Sequence, residues 1–322
     1  MKKLSLYIFL SFIFFNLVNS SELPPCKALM DFTKYKNCYG GYTDDKGLFY
    51  MGEFGDKVGE RDGLGVSEVN TQKYLGEFKN NIPFGKGVIS TIDGTFGQLH
   101  YGNMQGLPNG YGILKMVRKN HYDRYFGEFK NGNFHGEGAY IYSNGLVQKG
   151  IFEDGKLIEN KSLKECDRNK PFQTYNNCQL VGGVLHSVDG SSYGDNPKNF
   201  KGFIFSGEFQ NGKPNGYGLI IAQMPNDQKI EYMGQVKNGF RDGKGSLTWV
   251  EFGDEHIGNF KNELPHGEGV LIMYTDEEEK KRNFIRFGLW NNGKEHGKGF
   301  VFEESSYFFW YDEYVNGKQI KN

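Results

Sequence analysis

Short segments of the chain alternate between two kinds of side chain with a period of two residues. Tyr50, Gly52 and Phe54 share one face of an extended segment, and Met51 and Glu53 share the opposite face. The same spacing around a central glycine recurs at Tyr74/Phe78, Tyr125/Phe129, Phe205/Phe209, Tyr232/Val236, His256/Phe260 and Arg286/Trp290. This period predicts β-strands.

Each strand pattern is followed by turn residues and then by a second glycine pattern. Asn-Gly pairs, such as 131–132 and 211–212, favour tight two-residue turns because both residues adopt positive φ. Gly-x-Gly triplets follow, beginning at residues 63, 85, 110, 136, 216, 243, 267 and 297. Small residues there allow the return strand to bend or to approach its neighbour closely. Each unit is therefore predicted to be a β-hairpin.

The glycines that open these units recur at intervals of 21 to 30 residues in two runs, at 52, 76, 97, 127 and 150 and then at 207, 234, 258 and 288. Such a period is typical of repeat proteins that stack one unit on the next. We therefore predict an all-β fold, an elongated, twisted antiparallel sheet of stacked hairpins. The unit around Gly97 lacks both flanking aromatic residues, and residues 98–109 hold about four extra positions.

The cysteines divide the chain into two duplicated halves. Cys26 and Cys38 are twelve residues apart, as are Cys166 and Cys178. Between the cysteines, three residues match at the same offsets: Phe32, Tyr35 and Asn37 in the first half, and Phe172, Tyr175 and Asn177 in the second. The predicted organisation is a first array at 21–160 and a second at 161–322, each opened by a cysteine lead-in.

Local disulfides, Cys26 with Cys38 and Cys166 with Cys178, are favoured because each half would then carry its own link. The alternative is two pairs of buried free thiols, and the spacing is unlike that of paired zinc ligands.

Residues 1–20 have the pattern of a signal peptide. Lys2 and Lys3 precede an uncharged stretch at 4–18, and Ser20 provides a small residue for cleavage. The alternative is an uncleaved membrane anchor, although about 15 residues fall short of the roughly 20 that span a bilayer. The chain is thus predicted to be exported, to the periplasm or the exterior, where disulfides persist.

Composition limits the class of partner and the kind of core. Glycine accounts for 46 of 322 residues, and aromatic residues make up 16% of the chain, so an aromatic core is expected. The formal charge is −1, and it becomes −3 when residues 1–20, with two lysines and no acids, are removed. Such a surface offers no general attraction for nucleic acid or anionic lipid, so membrane contact has no support from charge.

No motif of an enzyme occurs in the chain: there is no P-loop, dinucleotide fingerprint, His-Glu-x-x-His or Gly-x-Ser-x-Gly. The recurring Glu53, Glu77, Glu128 and Glu208 are expected to form a solvated ladder rather than catalytic pairs. A catalytic pair needs two different environments, and repeat-equivalent residues have similar ones. We predict no enzymatic activity.

Histidines and charged links are further candidate sites in the chain. His135, His266 and His296 are expected to be turn residues rather than metal ligands, because equivalent residues of adjacent hairpins lie about 10 Å apart. No metal or cofactor is expected. The charged links at 118–124 and 276–282 are expected to be solvated tips; the alternative is an electrostatic clasp between the halves. The segment 179–206 is longer than its counterpart in the first half and is expected to be an extra hairpin or surface loop; the alternative is a binding loop.

The units resemble the MORN-repeat family, whose pattern is approximately Tyr-x-Gly-Glu-Trp/Phe-x-x-Gly-x-x-x-Gly-x-Gly. The resemblance covers about 50–158 and 203–320, and the segment 35–40 is similar to the lead-in of exported bacterial members. It implies an elongated sheet of hairpins, as the strand and turn signals predict independently.

We predict an exported, non-enzymatic scaffold that binds a protein or an envelope polymer. The expected binding groove is formed by the rings that flank the glycines, at Tyr50, Phe54, Tyr74, Phe78, Tyr125, Phe129, Phe205 and Phe209. Open sheet edges would allow strand addition or homodimer formation. The alternative, a lipid-surface or peptidoglycan-associated module, lacks a basic patch in its favour.

Overall fold

The computed structural model describes residues 23–27, 31–93, 96–118, 121–186, 202–223, 228–277, 280–303 and 308–320. Within these ranges the chain forms β-strands joined by turns, with short 3-10 segments at Phe32–Lys34 and Phe172–Thr174. The predicted all-β fold of consecutive hairpins is confirmed. The predicted signal peptide at 1–20 and the centre of the insertion, at 187–201, lie outside the described residues.

The first sheet contains eleven strands that follow one another in sequence order, and each pairs antiparallel with the next. Its strands are β1 (Cys38–Thr43), β2 (Phe49–Phe54), β3 (Arg61–Val69), β4 (Gln72–Lys79), β5 (Ile82–Asp93), β6 (Phe96–Gln105), β7 (Leu107–Arg118), β8 (His121–Lys130), β9 (Asn133–Ile141), β10 (Val147–Glu153) and β11 (Lys156–Asn160).

The second sheet contains twelve strands, again in sequence order, and only its first pair is parallel. Its strands are β12 (Lys164–Glu165), β13 (Cys178–His186), β14 (Gly202–Gln210), β15 (Lys213–Gln223), β16 (Lys229–Lys237), β17 (Phe240–Trp249), β18 (Glu255–Lys261), β19 (Leu264–Glu277), β20 (Lys280–Asn291), β21 (Lys294–Glu303), β22 (Phe308–Val315) and β23 (Lys318–Gln319).

A row of glycines runs across each sheet at right angles to the strands. In the first sheet, Gly52 pairs with Gly65, which pairs with Gly76. The ring of Tyr50 lies against this row, and a Cβ placed on Gly65 would be 2.8 Å from Tyr50 Oη. Glycine is therefore required there, because any larger residue would displace the ring.

The third repeat is centred on Gly102 rather than on Gly97. Gly102 pairs with Gly87 on β5 and with Gly112 on β7, so it occupies the glycine row. The true strand pattern is His100-Tyr101-Gly102-Asn103-Met104, with a histidine and a methionine where other repeats have two rings. The four extra positions predicted for 98–109 therefore do not exist.

The two sheets pack against each other through the faces opposite the glycine-flanking rings. Val88, Ile113 and Phe126 of the first sheet share one buried cluster with Met233 and Ile257 of the second. At the far end, a second cluster joins Val66 and Leu75 to Phe300 and Phe302. The first strands of one sheet thus meet the last strands of the other, so the halves lie antiparallel in a two-layered sandwich instead of one extended array.

The turns of successive repeats are joined by hydrogen bonds along one side of each sheet. The Gly132 amide donates to the Pro108 carbonyl at 2.9 Å, and the Gly239 amide donates to the Pro214 carbonyl at 2.9 Å. The cysteine lead-ins supply the first acceptor of each row, because the Tyr35 and Tyr175 carbonyls accept from Gly59 and Gly212, both at 2.7 Å. Each lead-in therefore stands where a preceding repeat would stand.

The predicted disulfides are present, Cys26 with Cys38 and Cys166 with Cys178. Each bridge holds a tyrosine of its lead-in over the first ring of the row: Tyr35 lies edge-on to Phe54 and Tyr175 lies edge-on to Phe209. Each lead-in thus covers the end of its aromatic row. Repeat proteins need such caps because their terminal repeats would otherwise expose the core.

Replacing Cys26 and Cys38 together by serine should lower the free energy of unfolding by roughly 3 kcal/mol, because the closed loop of about 13 residues restricts the unfolded chain. Urea denaturation of the oxidised protein and of the double variant measures this change. Non-reducing peptide mapping is the control, and linkage between the two halves in that map would contradict the local pairing.

Candidate functional site

The eight predicted groove residues form the buried layer on the glycine face of each sheet. Their exposed fractions lie between 0 and 4%, for Tyr50, Phe54, Tyr74, Phe78, Tyr125, Phe129, Phe205 and Phe209. Neighbouring rings contact edge to face; the centroids of Tyr50 and Phe78, for example, lie 5.1 Å apart. The rings support one another and the glycine rows. Their part in binding stays a prediction.

The tyrosine that precedes the glycine also binds the backbone of its own strand. Its hydroxyl donates to the carbonyl three residues ahead, from Tyr50 to Glu53 at 2.7 Å and from Tyr74 to Glu77 at 2.6 Å. The repeat therefore favours tyrosine at this position, because the phenol satisfies a carbonyl at the bulge that follows the glycine.

The predicted solvated ladder is correct for Glu77 and Glu128, which are exposed. Glu53 and Glu208 instead hold the next strand of the hairpin. The Glu53 carboxylate accepts the Leu64 amide at 2.8 Å, and the Glu208 carboxylate accepts the Tyr217 amide at 2.7 Å. The amide donor is in each case the middle residue of Gly-x-Gly. Glu208 is only 1% exposed and also pairs with Lys149 of the first sheet at 2.5 Å.

Replacing Glu208 by alanine should lower the free energy of unfolding by about 2 to 3 kcal/mol, because a buried amide and Lys149 lose a charged partner. The matched control is Glu128→Ala, whose side chain is exposed in the equivalent position; we expect a change below about 0.5 kcal/mol. Chemical denaturation compares the two variants, and equal losses would contradict the assignment.

Two buried histidines belong to the ring rows: the spacing around the glycines predicts His256 there, whereas the wrong central glycine, Gly97, conceals His100. His100 and His256 stand at the tyrosine position of the third repeat in each half, with exposed fractions of 3% and 1%. Burial lowers the pKa of each from 6.5 to about 3. Counting back two residues from the paired glycine, Gly102, identifies His100. Predicted turn residues His135, His266 and His296 instead lie on β9, β19 and β21.

A cluster of charges joins the two sheets at the centre of the sandwich. Glu255 lies 2.5 Å from Arg124 and 2.7 Å from Lys115, and its Oε1 also accepts the Ser246 hydroxyl. Burial opposes ionisation of Glu255, but Arg124 and Lys115 outweigh it and lower its pKa to about 2. An electrostatic clasp between the halves therefore exists at Arg124, which is buried instead of solvated and pairs with Glu255.

The glycine face of the first sheet opens into a cleft near its last strands. The cleft has a volume of about 690 Å³. Its lining combines apolar and aromatic side chains with polar ones: Phe134, Tyr140, Tyr142, Phe152 and Leu157 with Arg118, His121, Asp123, Ser143, Asn144 and Gln148. The mixture suits a ligand that presents both apolar surface and hydrogen-bonding groups.

The aromatic lining of the cleft continues the row of predicted groove residues. Phe134 stacks on Tyr125 with 3.9 Å between ring centroids, and it contacts Phe152 edge to face at 5.9 Å. Tyr140 and Tyr142 follow, with ring centroids 4.6 Å apart. Tyr125, one of the predicted groove residues, is itself buried but packs against this row. The rings of Phe134, Tyr140 and Tyr142 are only partly buried and are open to a ligand.

Asp123 organises the polar side of the cleft. Its carboxylate accepts the Tyr140 hydroxyl at 3.0 Å and the Ser143 amide at 3.0 Å, and Arg118 lies 3.7 Å away. Burial, followed by the negative charge of Asp123, raises the pKa of Tyr140. The Tyr142 hydroxyl donates to Gln148 Oε1 at 3.2 Å, which leaves the Gln148 amide group available as a donor.

The described part of the chain has neither a metal-binding cluster nor a membrane-spanning helix. No group of three histidine, cysteine, aspartate or glutamate side chains there could hold a metal ion. None of the helical segments there has the length and apolar character needed to cross a membrane.

Comparison with known proteins agrees with the geometry of the repeats. The MORN repeat model matches residues 74–96, 125–147, 205–221, 232–251, 256–275 and 287–300. Alsin from human and from mouse is similar to this chain, with 28% identity over 189 residues. The aligned region is 58% of this chain but only 9% of alsin. Six matches, together with paired glycine rows across both sheets, show that the protein is made of MORN repeats.

Proposed function

We propose that the protein is an exported, non-catalytic scaffold that binds a protein or a polymer in the cell envelope or outside the cell. The cleft near the last strands of the first sheet carries this proposal. It is the place where the aromatic row meets solvent beside polar groups, and such a combination is common in ligand sites.

The family supports a binding role in general terms. MORN repeats generally bind proteins or membrane lipids and are generally not catalytic. In this chain the repeated carboxylates favour a non-catalytic role, because Glu53 and Glu208 each accept a hydrogen bond from a backbone amide of the fold. Catalytic acids instead need a substrate within reach.

An extended ligand fits the position of the cleft. The cleft borders β11, the edge strand of the first sheet, through Leu157. A bound segment could place apolar groups on Tyr140 and Tyr142 while its backbone or hydroxyl groups reach Gln148. The eight buried groove residues would then act as the support of the binding surface.

Two disulfides support export, because such bridges persist in oxidising compartments. Together with the signal peptide predicted at 1–20, they favour a periplasmic or extracellular location.

Site-specific photo-cross-linking tests the binding role. A photoreactive amino acid replaces Tyr142 in the cleft, and the matched control carries it at Tyr274, a tyrosine on the second sheet that is 46% exposed. Both proteins are incubated with an envelope extract and irradiated. We expect one defined protein or polymer adduct from position 142 that is absent from position 274.

A second substitution separates specific from chance contact. Tyr140→Ser, combined with the reactive residue at 142, should lower the yield of that adduct at unchanged folding. Equal adducts from both positions, or a yield that Tyr140→Ser leaves unaltered, would contradict the proposed site. An adduct with lipid or peptidoglycan would instead support the alternative of an envelope-surface module.

A further inference from the structure

A polar cavity lies between the two sheets and is separate from the cleft. Its volume is about 120 Å³, several times what one water molecule needs. Polar side chains from both sheets line it, with Lys86, Asn103 and Tyr111 from the first and Lys244, Asn259 and Glu268 from the second.

The duplication builds the same contact on both sides of this cavity. Lys86 and Lys244 are the middle residues of the second Gly-x-Gly triplet in each half, and Tyr111 and Glu268 are the middle residues of the third. Because the sheets lie antiparallel, each lysine meets the third triplet of the opposite sheet. Lys86 pairs with Glu268, and Lys244 meets the ring of Tyr111 with its Nζ 4.5 Å from the centroid.

One positive charge is therefore left without a carboxylate. The Lys244 ammonium lies 3.4 Å from Asn259 Oδ1, and no carboxylate of the described residues lies within 4 Å of it. Burial lowers the pKa of Lys244, and the charge of Lys86 lowers it further. A bound anion would relieve this repulsion.

Two further residues remove negative charge from the cavity. Asn103 and Asn259 directly follow the central glycine of their repeats. Most other repeats have glutamate or glutamine at this position: Glu53, Glu77, Glu128, Glu208 and Gln235. Both halves thus carry a shorter, neutral side chain where a lysine from each sheet lines the cavity. An amide can also donate a hydrogen bond to an anion.

We propose that this cavity binds a small oxyanion, a phosphate group, between Lys86 and Lys244. Lysine ammonium groups bind phosphate oxygens as point charges. The phosphate would neutralise Lys244 as the Glu268 carboxylate neutralises Lys86. Free phosphate and the phosphate of a monoester headgroup share this chemistry.

Isothermal titration with inorganic phosphate, at constant ionic strength against chloride, tests the proposal. We expect saturable binding to the whole chain after signal removal, and at least about tenfold weaker binding to Lys244→Met, which loses one charged contact. The matched control Lys261→Met removes an exposed lysine outside the cavity and should bind as the parent does. No saturable binding, or equal binding to Lys244→Met, would overturn the proposal.

A second variant supplies the missing carboxylate from the protein. Tyr111→Glu places a carboxylate beside Lys244, at the position equivalent to Glu268 in the second half. This carboxylate should neutralise Lys244 and abolish phosphate binding, while the circular dichroism spectrum remains unchanged. Retained binding by a folded Tyr111→Glu protein would also overturn the proposal.

Sedimentation with vesicles distinguishes the source of the phosphate. Phosphatidylcholine vesicles with and without phosphatidate are compared. Co-sedimentation that requires both phosphatidate and Lys244 assigns a headgroup, and phosphate binding without co-sedimentation assigns a soluble phosphate. Co-sedimentation that Lys244→Met leaves unchanged, together with unchanged titration, would refute the site.

Discussion

Replacing Glu255 by glutamine should lower the free energy of unfolding by about 3 to 5 kcal/mol. The substitution leaves Arg124 buried, at 1% exposed, without its carboxylate, and an unpaired buried charge costs more than the pair contributes. Lys115 loses the same partner. Because these residues join the two sheets, the substitution should also make the unfolding transition of the two halves less cooperative.

Urea denaturation, followed by tryptophan fluorescence and circular dichroism, measures this loss. The matched control is Glu268→Gln, which removes a carboxylate from an exposed ion pair between the same two sheets, with Lys86, and should change stability by less than about 1 kcal/mol. Replacing Arg124 and Glu255 together by apolar residues should recover much of the loss. Equal effects of Glu255→Gln and the control would show that the cluster is solvated.

Acidification should destabilise the protein strongly between about pH 6.5 and pH 3. His100 and His256 have a pKa of about 3 in the folded protein and about 6.5 when exposed, so the unfolded chain binds more protons in this window. Stability then falls as pH falls, by up to about 1.4 kcal/mol per pH unit for each histidine. Protonation of Glu255 extends the loss toward pH 2.

Denaturation midpoints measured from pH 7 to pH 4 test this slope. The double variant His100→Tyr, His256→Tyr restores the residue found at Tyr74 and Tyr125 and should flatten the profile. The control His121→Tyr changes an exposed histidine and should keep the parent slope. An unchanged slope in the double variant would assign the acid sensitivity to other groups.

The local structure follows closely from the sequence because each hairpin is specified by its own residues. Alternation around Gly52 and the Asn-Gly turns predicts the strands, and the offset of the cysteines predicts the two local disulfides. The prediction fails at Gly97, where His100 and Met104 replace the rings. Register is fixed by pairs of glycines on neighbouring strands, such as Gly87 and Gly102, and the residues of one strand alone do not show which glycine is paired.

The packing of the halves on each other could not be predicted from single repeats. Met51, Val66 and Leu75 do alternate with the rings, but nothing in one strand indicates which apolar face meets another sheet. The cleft has the same origin, since Asp123 and Leu157 come together only through pairing of β8 to β11. The buried state of Glu208 likewise depends on Lys149 from the opposite sheet.

Zero-length cross-linking with a carbodiimide, read by peptide mass spectrometry, tests most directly whether the two arrays fold back on each other as one scaffold. We expect amide links between Lys86 and Glu268 and between Lys149 and Glu208, each joining a strand of the first sheet to a strand of the second. Both links should form at high dilution, within one chain. Their absence, with links confined to neighbouring repeats of the same half, would contradict the antiparallel sandwich.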